Sequence, residues 1–209
     1  MRMQSDRASI EIAEAVEAVR DGGVIGYPTE TVYGLGCDAR NEHAVRRVYA
    51  LKGRGFGAPM LVLVRNEAGL SSLVQEVPDR ARILMDRFWP GPLTLVFRAA
   101  EDFRSPILGE DHSLAMRISF DPVCKELLRR WDGPLVSTSA NRTGRSAARS
   151  AAELREIFGN GPDVIVDGGS REAGTASTVV DVRVNPPKMI REGVVSSASI
   201  ADALKEIDG

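Results

Sequence analysis

"GGVIGYPTETVYGLG", Gly22 to Gly36, decides how the chain is read. A glycine turn opens a short apolar run, Val24-Ile25-Gly26-Tyr27, which has the composition of a buried strand. Pro28 then ends the strand, and the next residues are Thr29, Glu30 and Thr31, with Gly34 and Gly36 close behind. Hydroxyls, a carboxylate and permissive glycines thus stand at the tip of a buried strand. In open α/β sheets ligands sit beyond the carboxyl ends of strands.

Working outward, strands alternate with helices. Ile12, Val16 and Val19 form a helical stripe that Gly22-Gly23 terminates. "NEHAVRRVYALKG" reads as a helix with Asn41 as N-cap and Gly53 as terminator. Met60 to Val64 is a second buried strand, and "PDRARILMDRFWPG" is a helix stopped by Pro90-Gly91. "PLTLVFRA" and "SLAMRIS" are strands, and Asp121-Pro122 opens a helix running through Trp131. The strand "PLVSTSAN", a helix over Ala151–Phe158, the strands "DVIVDGG", "STVVDV" and "PKMIRE", and a last helix from Ser199 complete the order. Neighbouring strands with no helix between them call for a mixed sheet. The expectation is a single α/β domain over residues 1–209, with a twisted, mostly open sheet flanked by helices around a basic concave cavity.

Bulk properties narrow the function. Of 209 residues, 43% are hydrophobic and 27% charged, as in ordinary globular proteins. A net charge of −2 provides no global field for holding long nucleic acid, so a cationic site must be local. No apolar run approaches membrane-spanning length, the N-terminus lacks an apolar signal core, and the chain reads as cytoplasmic. Cys37 and Cys124 stand in no paired motif; two cysteines allow one disulfide but read better as free thiols, and His43 and His112 have no metal-ligand spacing, so no metal site is expected.

"GPLVSTSAN" repeats the design of the opening stretch: glycine turn, apolar run, polar tip. In an extended chain Ser137, Ser139 and Asn141 share one face. One such tip reads equally well as a turn; two in one chain favour a site. "LKGRGFGAP" offers Lys52 and Arg54 beside flexible glycines, which suits a phosphate or carboxylate, or else a solvated loop. In "SLAMRIS", Ser113, Ala115 and Arg117 share the face opposite Leu114 and Met116. An arginine in so apolar a strand needs an anion, an acidic partner or an open cleft, and a structural ion pair fits as well as a ligand. Ser177 and Arg191 stand at strand ends. Of Arg142, Arg145 and Arg149, one or two suit a phosphate and the others a solvated surface. This inventory is rich in hydroxyls and cations and poor in nucleophile–base pairs. Such sites act by positioning reactants and offsetting developing charge, as nucleotidyl transfer requires. With no GxxxxGK[ST] stretch, P-loop hydrolysis is not indicated.

Together and in order, "GGVIGYPTETVYGLGCDA", the Lys-x-Arg of "KGRG", "FWPGPLTLVF", "LAMRIS", "PLVSTSANRTG", "STVVDV" and "IREG" resemble the YrdC-type threonylcarbamoyl-AMP synthases in their short, single-domain form. The resemblance implies a nucleotidyltransferase that joins L-threonine, bicarbonate and ATP, with Mg²⁺ accompanying the nucleotide. It releases pyrophosphate, and partner proteins pass the threonylcarbamoyl group to tRNA. By position it implies Thr31, Arg117, Ser137 and Ser177 for threonine, and Arg54, Ser113, Ser139, Asn141 and Arg191 for ATP. Lys52 and Arg54 would be the catalytic cations. Glu30 is left open: it orients Lys52 or Arg117, or caps a turn. Leu63, Ala58 and Ala147 stand where relatives often carry polar groups. Two other readings are a catalytically silent protein of the same fold and an RNA-binding module; against the module stand the net charge and only 5% aromatics, although weak RNA binding is compatible with the enzyme.

Overall fold

A computed structural model describes residues 2–109, 111–172 and 176–205, with side chains from residue 9 onward. Nine strands form one sheet: β1 (Ile25–Pro28), β2 (Tyr33–Gly36), β3 (Leu61–Leu63), β4 (Leu93–Arg98), β5 (Ser113–Arg117), β6 (Leu135–Ser139), β7 (Val164–Ile165), β8 (Thr178–Asp181) and β9 (Lys188–Arg191). Their order is β7-β1-β2-β6-β3-β5-β4-β8-β9. Three pairs are parallel (β1·β7, β3·β5, β4·β8) and the others antiparallel, so the sheet is mixed and open, as the helix-free strand junctions require.

Among the described residues seven helices flank the sheet: α1 (Arg2–Arg20), α2 (Glu42–Lys52), α3 (Glu67–Ser71), α4 (Asp79–Phe88), α5 (Pro122–Trp131), α6 (Ala151–Phe158) and α7 (Ser197–Lys205). Local chemistry sets several of their ends. The Asn41 side chain accepts from the Ala44 amide, and Gly53 closes α2 in the left-handed region at φ 58. Asp121 accepts from the Val123 and Cys124 amides at the start of α5.

Three elements depart from the sequence reading. The stretch after Pro28 is a hairpin: β2 returns beside β1, pairing Tyr27 with Gly34 and Pro28 with Tyr33, so Thr29–Val32 is its turn. Gly36 is what lets β2 lie against β6, since a Cβ there would stand 2.6 Å from the Val136 carbonyl oxygen. The short helix α3, capped by Asn66, has too few residues to show a periodic stripe. β3 is also shorter than the apolar run that encodes it, because Met60 and Val64 lie just outside the ladder.

Strand alternation sorts the core into two layers. Leu35, Val62, Met116, Val136 and Leu95 face a large cluster with side chains of α2, α4, α6 and α7. Ile25, Tyr27, Leu63 and Leu135 face a smaller cluster, closed by Val16 and Val19 of α1 and Leu127 and Leu128 of α5. Those two helices do not reach across the whole of their side of the sheet. The uncovered remainder is where the candidate site lies.

Candidate functional site

A cavity of about 880 Å³ opens on that uncovered stretch. Its floor is built from side chains that alternate away from the large core: Leu61 of β3, Ala115 and Arg117 of β5, Ser137 of β6, Thr94 of β4 and Val179 of β8, while Ser139, on the same face at the exposed end of β6, belongs to the rim. Thr31 in the hairpin turn and Ser177 beside β8 add hydroxyls. The floor is buried: Thr94 is 2% exposed, Arg117 3%, Ser137 4%, Ser177 5% and Thr31 9%.

Burial favours a partner for each polar group, and most of these have one. Thr31 Oγ1 lies 3.0 Å from Thr29 Oγ1, whose hydroxyl donates to the Val32 carbonyl and so holds the turn. Thr94 Oγ1 lies 3.0 Å from Ser177 Oγ. Arg117 Nη1 is 3.2 Å from Glu30 Oε1, both side chains almost fully enclosed. Ser119 Oγ donates to the other Glu30 oxygen at 2.5 Å. Glu30 therefore sits behind Arg117. Arg117 Nε and Glu30 Oε1 are left without a hydrogen bond, although both are buried.

The rim differs. Arg54, Asn141, Arg145, Arg149 and Arg191 line it on loops and strand ends, and the three arginines Arg145, Arg149 and Arg191 are exposed. Arg191 donates from Nη2 to the Ser177 carbonyl at 2.8 Å, and Arg54 from Nη2 to that of Pro59 at 3.0 Å. Among the described residues Glu153 is the only acidic side chain in the lining, against five arginines.

Two expected residues do not line the cavity. Lys52, 4% exposed, turns its ammonium onto the loop after β6, donating to the Asn141 Oδ1 at 3.0 Å, to the Asn141 carbonyl at 3.1 Å and to the Ser139 carbonyl. Three acceptors saturate its three protons. Burial, with the Arg54 charge adding to it, lowers its pKa to about 8. Ser113 shares the strand face of Arg117, but its hydroxyl and the Arg183 guanidinium hold the Asp111 carboxyl below its ordinary value. The other expected residues, Thr31, Arg54, Arg117, Ser137, Ser139, Asn141, Ser177 and Arg191, come together around this one cavity. Leu63 is buried in the smaller core, whereas Ala147 lines the rim.

Sequence reasoning passed over Thr94, Glu153 and Arg171. Thr94 had a readable signal, since alternation in "PLTLVFR" sets it opposite Leu93 and Leu95. Arg171 had none: it ties the hairpin turn to the start of α5 by donating to the Thr29 carbonyl at 2.7 Å and to Asp121 Oδ2 at 2.6 Å, partners remote in sequence. Among the described residues no group of three histidines, cysteines or carboxylates could hold a metal, and no helix is long and apolar enough to cross a membrane.

The Sua5–YciO–YrdC family model, described as telomere recombination, matches residues 17–193. A Pyrococcus abyssi protein named threonylcarbamoyl-AMP synthase is 35% identical over 197 residues, covering 94% of this chain but 58% of its own length. A Coxiella burnetii protein of the same name is 37% identical over 157 residues, 75% of this chain and 84% of that protein. The crystal structure of P. abyssi Sua5 complexed with L-threonine superposes with a TM-score of 0.88 at 35% identity, covering 93% of this chain and 57% of that one.

Proposed function

The chain belongs to the Sua5–YciO–YrdC family, and on that premise we propose that it is an L-threonylcarbamoyladenylate synthase. L-Threonine, bicarbonate and ATP are its substrates; threonylcarbamoyl-AMP and pyrophosphate are its products, destined in the cytoplasm for proteins that modify tRNA. One observation carries the reading: buried hydroxyls around a sequestered arginine adjoin an exposed rim of arginines in a single cavity.

The amino acid takes the floor. Its carboxylate pairs with Arg117, which Glu30 holds from behind, while Thr31, Ser137 and Ser177 supply hydrogen bonds. Leu61, Ala115 and Val179 give its methyl an apolar wall. ATP takes the rim, on Arg54, Ser139, Asn141 and Arg191. The threonine amine adds to carbon dioxide and gives up a proton, or condenses with bicarbonate and releases water, to form a carbamate. A carbamate oxygen then forms a bond to the α-phosphorus, the bond from that phosphorus to the bridging oxygen breaks, and its electron pair leaves with pyrophosphate. Arg54 offsets the charge that develops. Lys52 acts one step removed: it fixes the backbone of Ser139 and Asn141 and so is a positioning residue. Mg²⁺ accompanying the triphosphate would offset part of its charge, and Glu153 is the carboxylate among the described lining residues that could face it.

The test is to incubate the protein with threonine, bicarbonate and ATP. Threonine-dependent pyrophosphate release together with the adenylate mass is the expected result. Pyrophosphate release indifferent to threonine, or no adenylate, overturns the reading.

A further inference from the structure

We propose that Arg145 and Arg149, on the loop from β6 to α6, bind the β- and γ-phosphates of ATP and the pyrophosphate that departs. The inference rests on the reading above and adds two residues to it.

The charge balance comes first. Glu30 matches Arg117, leaving Arg54, Arg145, Arg149 and Arg191 against Glu153 alone, an excess of three positive charges at one opening. Threonine's carboxylate is taken up on the floor and the carbamate adds a single charge. A triphosphate supplies the polyanion that such an excess fits.

The second observation is how these two arginines are held. Among the described residues the Arg145 guanidinium has no ion pair and no hydrogen bond. The Arg149 guanidinium has only Glu153, at 4.0 Å. Their backbone, by contrast, is fixed at every turn. Asn141 Nδ2 donates to the Arg145 carbonyl at 2.6 Å. Glu153 Oε2 accepts from the Arg149 amide at 2.8 Å, and the Arg149 carbonyl accepts from the Arg171 amide at 2.7 Å. Between them, the Tyr33 amide donates to the Ala148 carbonyl at 2.9 Å. A loop with a hydrogen-bonded backbone therefore presents one guanidinium without a protein partner and one held only at 4.0 Å, so binding costs little ordering of the backbone. Ala147, which also lines the cavity, brings no side-chain polar atom, so the arginines carry this segment's charge.

Solvation also favours the rim. A triphosphate end is strongly hydrated, and exposed arginines hold it without stripping that water completely, whereas the buried floor suits one carboxylate with a matched arginine. When the bond at the α-phosphorus breaks, charge grows on the bridging oxygen and the departing phosphates. Guanidinium groups already aimed there lower the barrier.

Calorimetric titration of inorganic pyrophosphate, AMP and threonine against the wild type, Arg145→Ala, Arg149→Ala and the double variant tests this. Arg142→Ala is the control, since Arg142 shares the loop but does not line the cavity. The double variant should lose about tenfold or more in affinity for pyrophosphate. Its affinity for AMP and threonine should stay within about twofold, and all variants should keep the wild-type unfolding midpoint. Arg142→Ala should bind pyrophosphate as the wild type does. Unchanged pyrophosphate affinity in the double variant, equal losses for AMP and pyrophosphate, or a wild type that does not bind pyrophosphate each overturn the proposal. A wild type that binds pyrophosphate through these arginines yet makes no adenylate leaves the proposal standing and removes the synthase reading instead.

Discussion

The floor and the rim of the cavity both carry arginine, yet they hold it by opposite means. Arg117 is enclosed, matched by Glu30 and placed by strand alternation. Arg145 and Arg149 are exposed, nearly unpaired and placed by a loop whose backbone is pinned. The contrast teaches that a buried charge must be part of the fold, whereas an exposed one is left to the ligand. Mutations on the floor should therefore disturb stability and function together, and mutations on the rim function alone.

Arg117→Ala is the hardest test of that division. It leaves Glu30 buried without a counter-charge and should cost about 3–5 kcal/mol in denaturant unfolding, with threonine-dependent activity lost. Pairing it with Glu30→Gln should restore much of the stability and none of the activity. A single variant as stable as the wild type would erase the distinction between floor and rim.

Lys52 joins the two regions, and Lys52→Met should cost about 2 kcal/mol, because three acceptors lose their donor. It should also weaken ATP binding more than threonine binding. Its pH behaviour sharpens the point. Its folded pKa, about 8, lies below the ordinary 10.5, so above pH 8 the unfolded chain binds more protons than the folded one. This group therefore makes folding more favourable as pH rises from 8, and the buried cysteines, whose thiols burial pushes up, oppose it only from their ordinary value of 9. Loss of activity between pH 8 and 9, with no fall in the unfolding midpoint, is the expected signature of a loop released by the neutral amine.

Thr94→Val removes one member of a buried hydroxyl pair and should cost about 1 kcal/mol while raising the KM for threonine but not for ATP. Smallest in stability is Arg54→Ala, within about 0.5 kcal/mol of the wild type. Adenylate formation should nevertheless fall about a hundredfold in rate assays. A variant that keeps full adenylate formation would remove Arg54 from the mechanism.

The floor was largely legible in the sequence because period-2 alternation is a local rule. "SLAMRIS" and "PLVSTSAN" set Arg117, Ser137 and Ser139 on faces that the fold then brings together. The mixed, open sheet was legible for the same reason, from strands that follow one another without a helix. What escaped depends on contacts far apart in the chain. Nothing near Lys52 says that its ammonium will turn onto carbonyls some ninety residues away, and nothing near Arg171 says that it will clasp Thr29. The β1–β2 hairpin was hidden because Pro28 and three polar residues read as the end of a strand rather than the turn between two. Arg145 and Arg149 could be seen as cations but not told apart from Arg142, since the loop's fold alone decides which of the three faces the cavity.

Salt dependence tests the division between floor and rim most directly. Dissociation constants for threonine and for ATP would be measured separately as salt rises from about 0.05 M to about 0.5 M, where exposed charges become strongly screened and enclosed pairs much less so. The account predicts that ATP affinity falls about tenfold or more while threonine affinity changes less than about twofold. Parallel losses for the two ligands would contradict it.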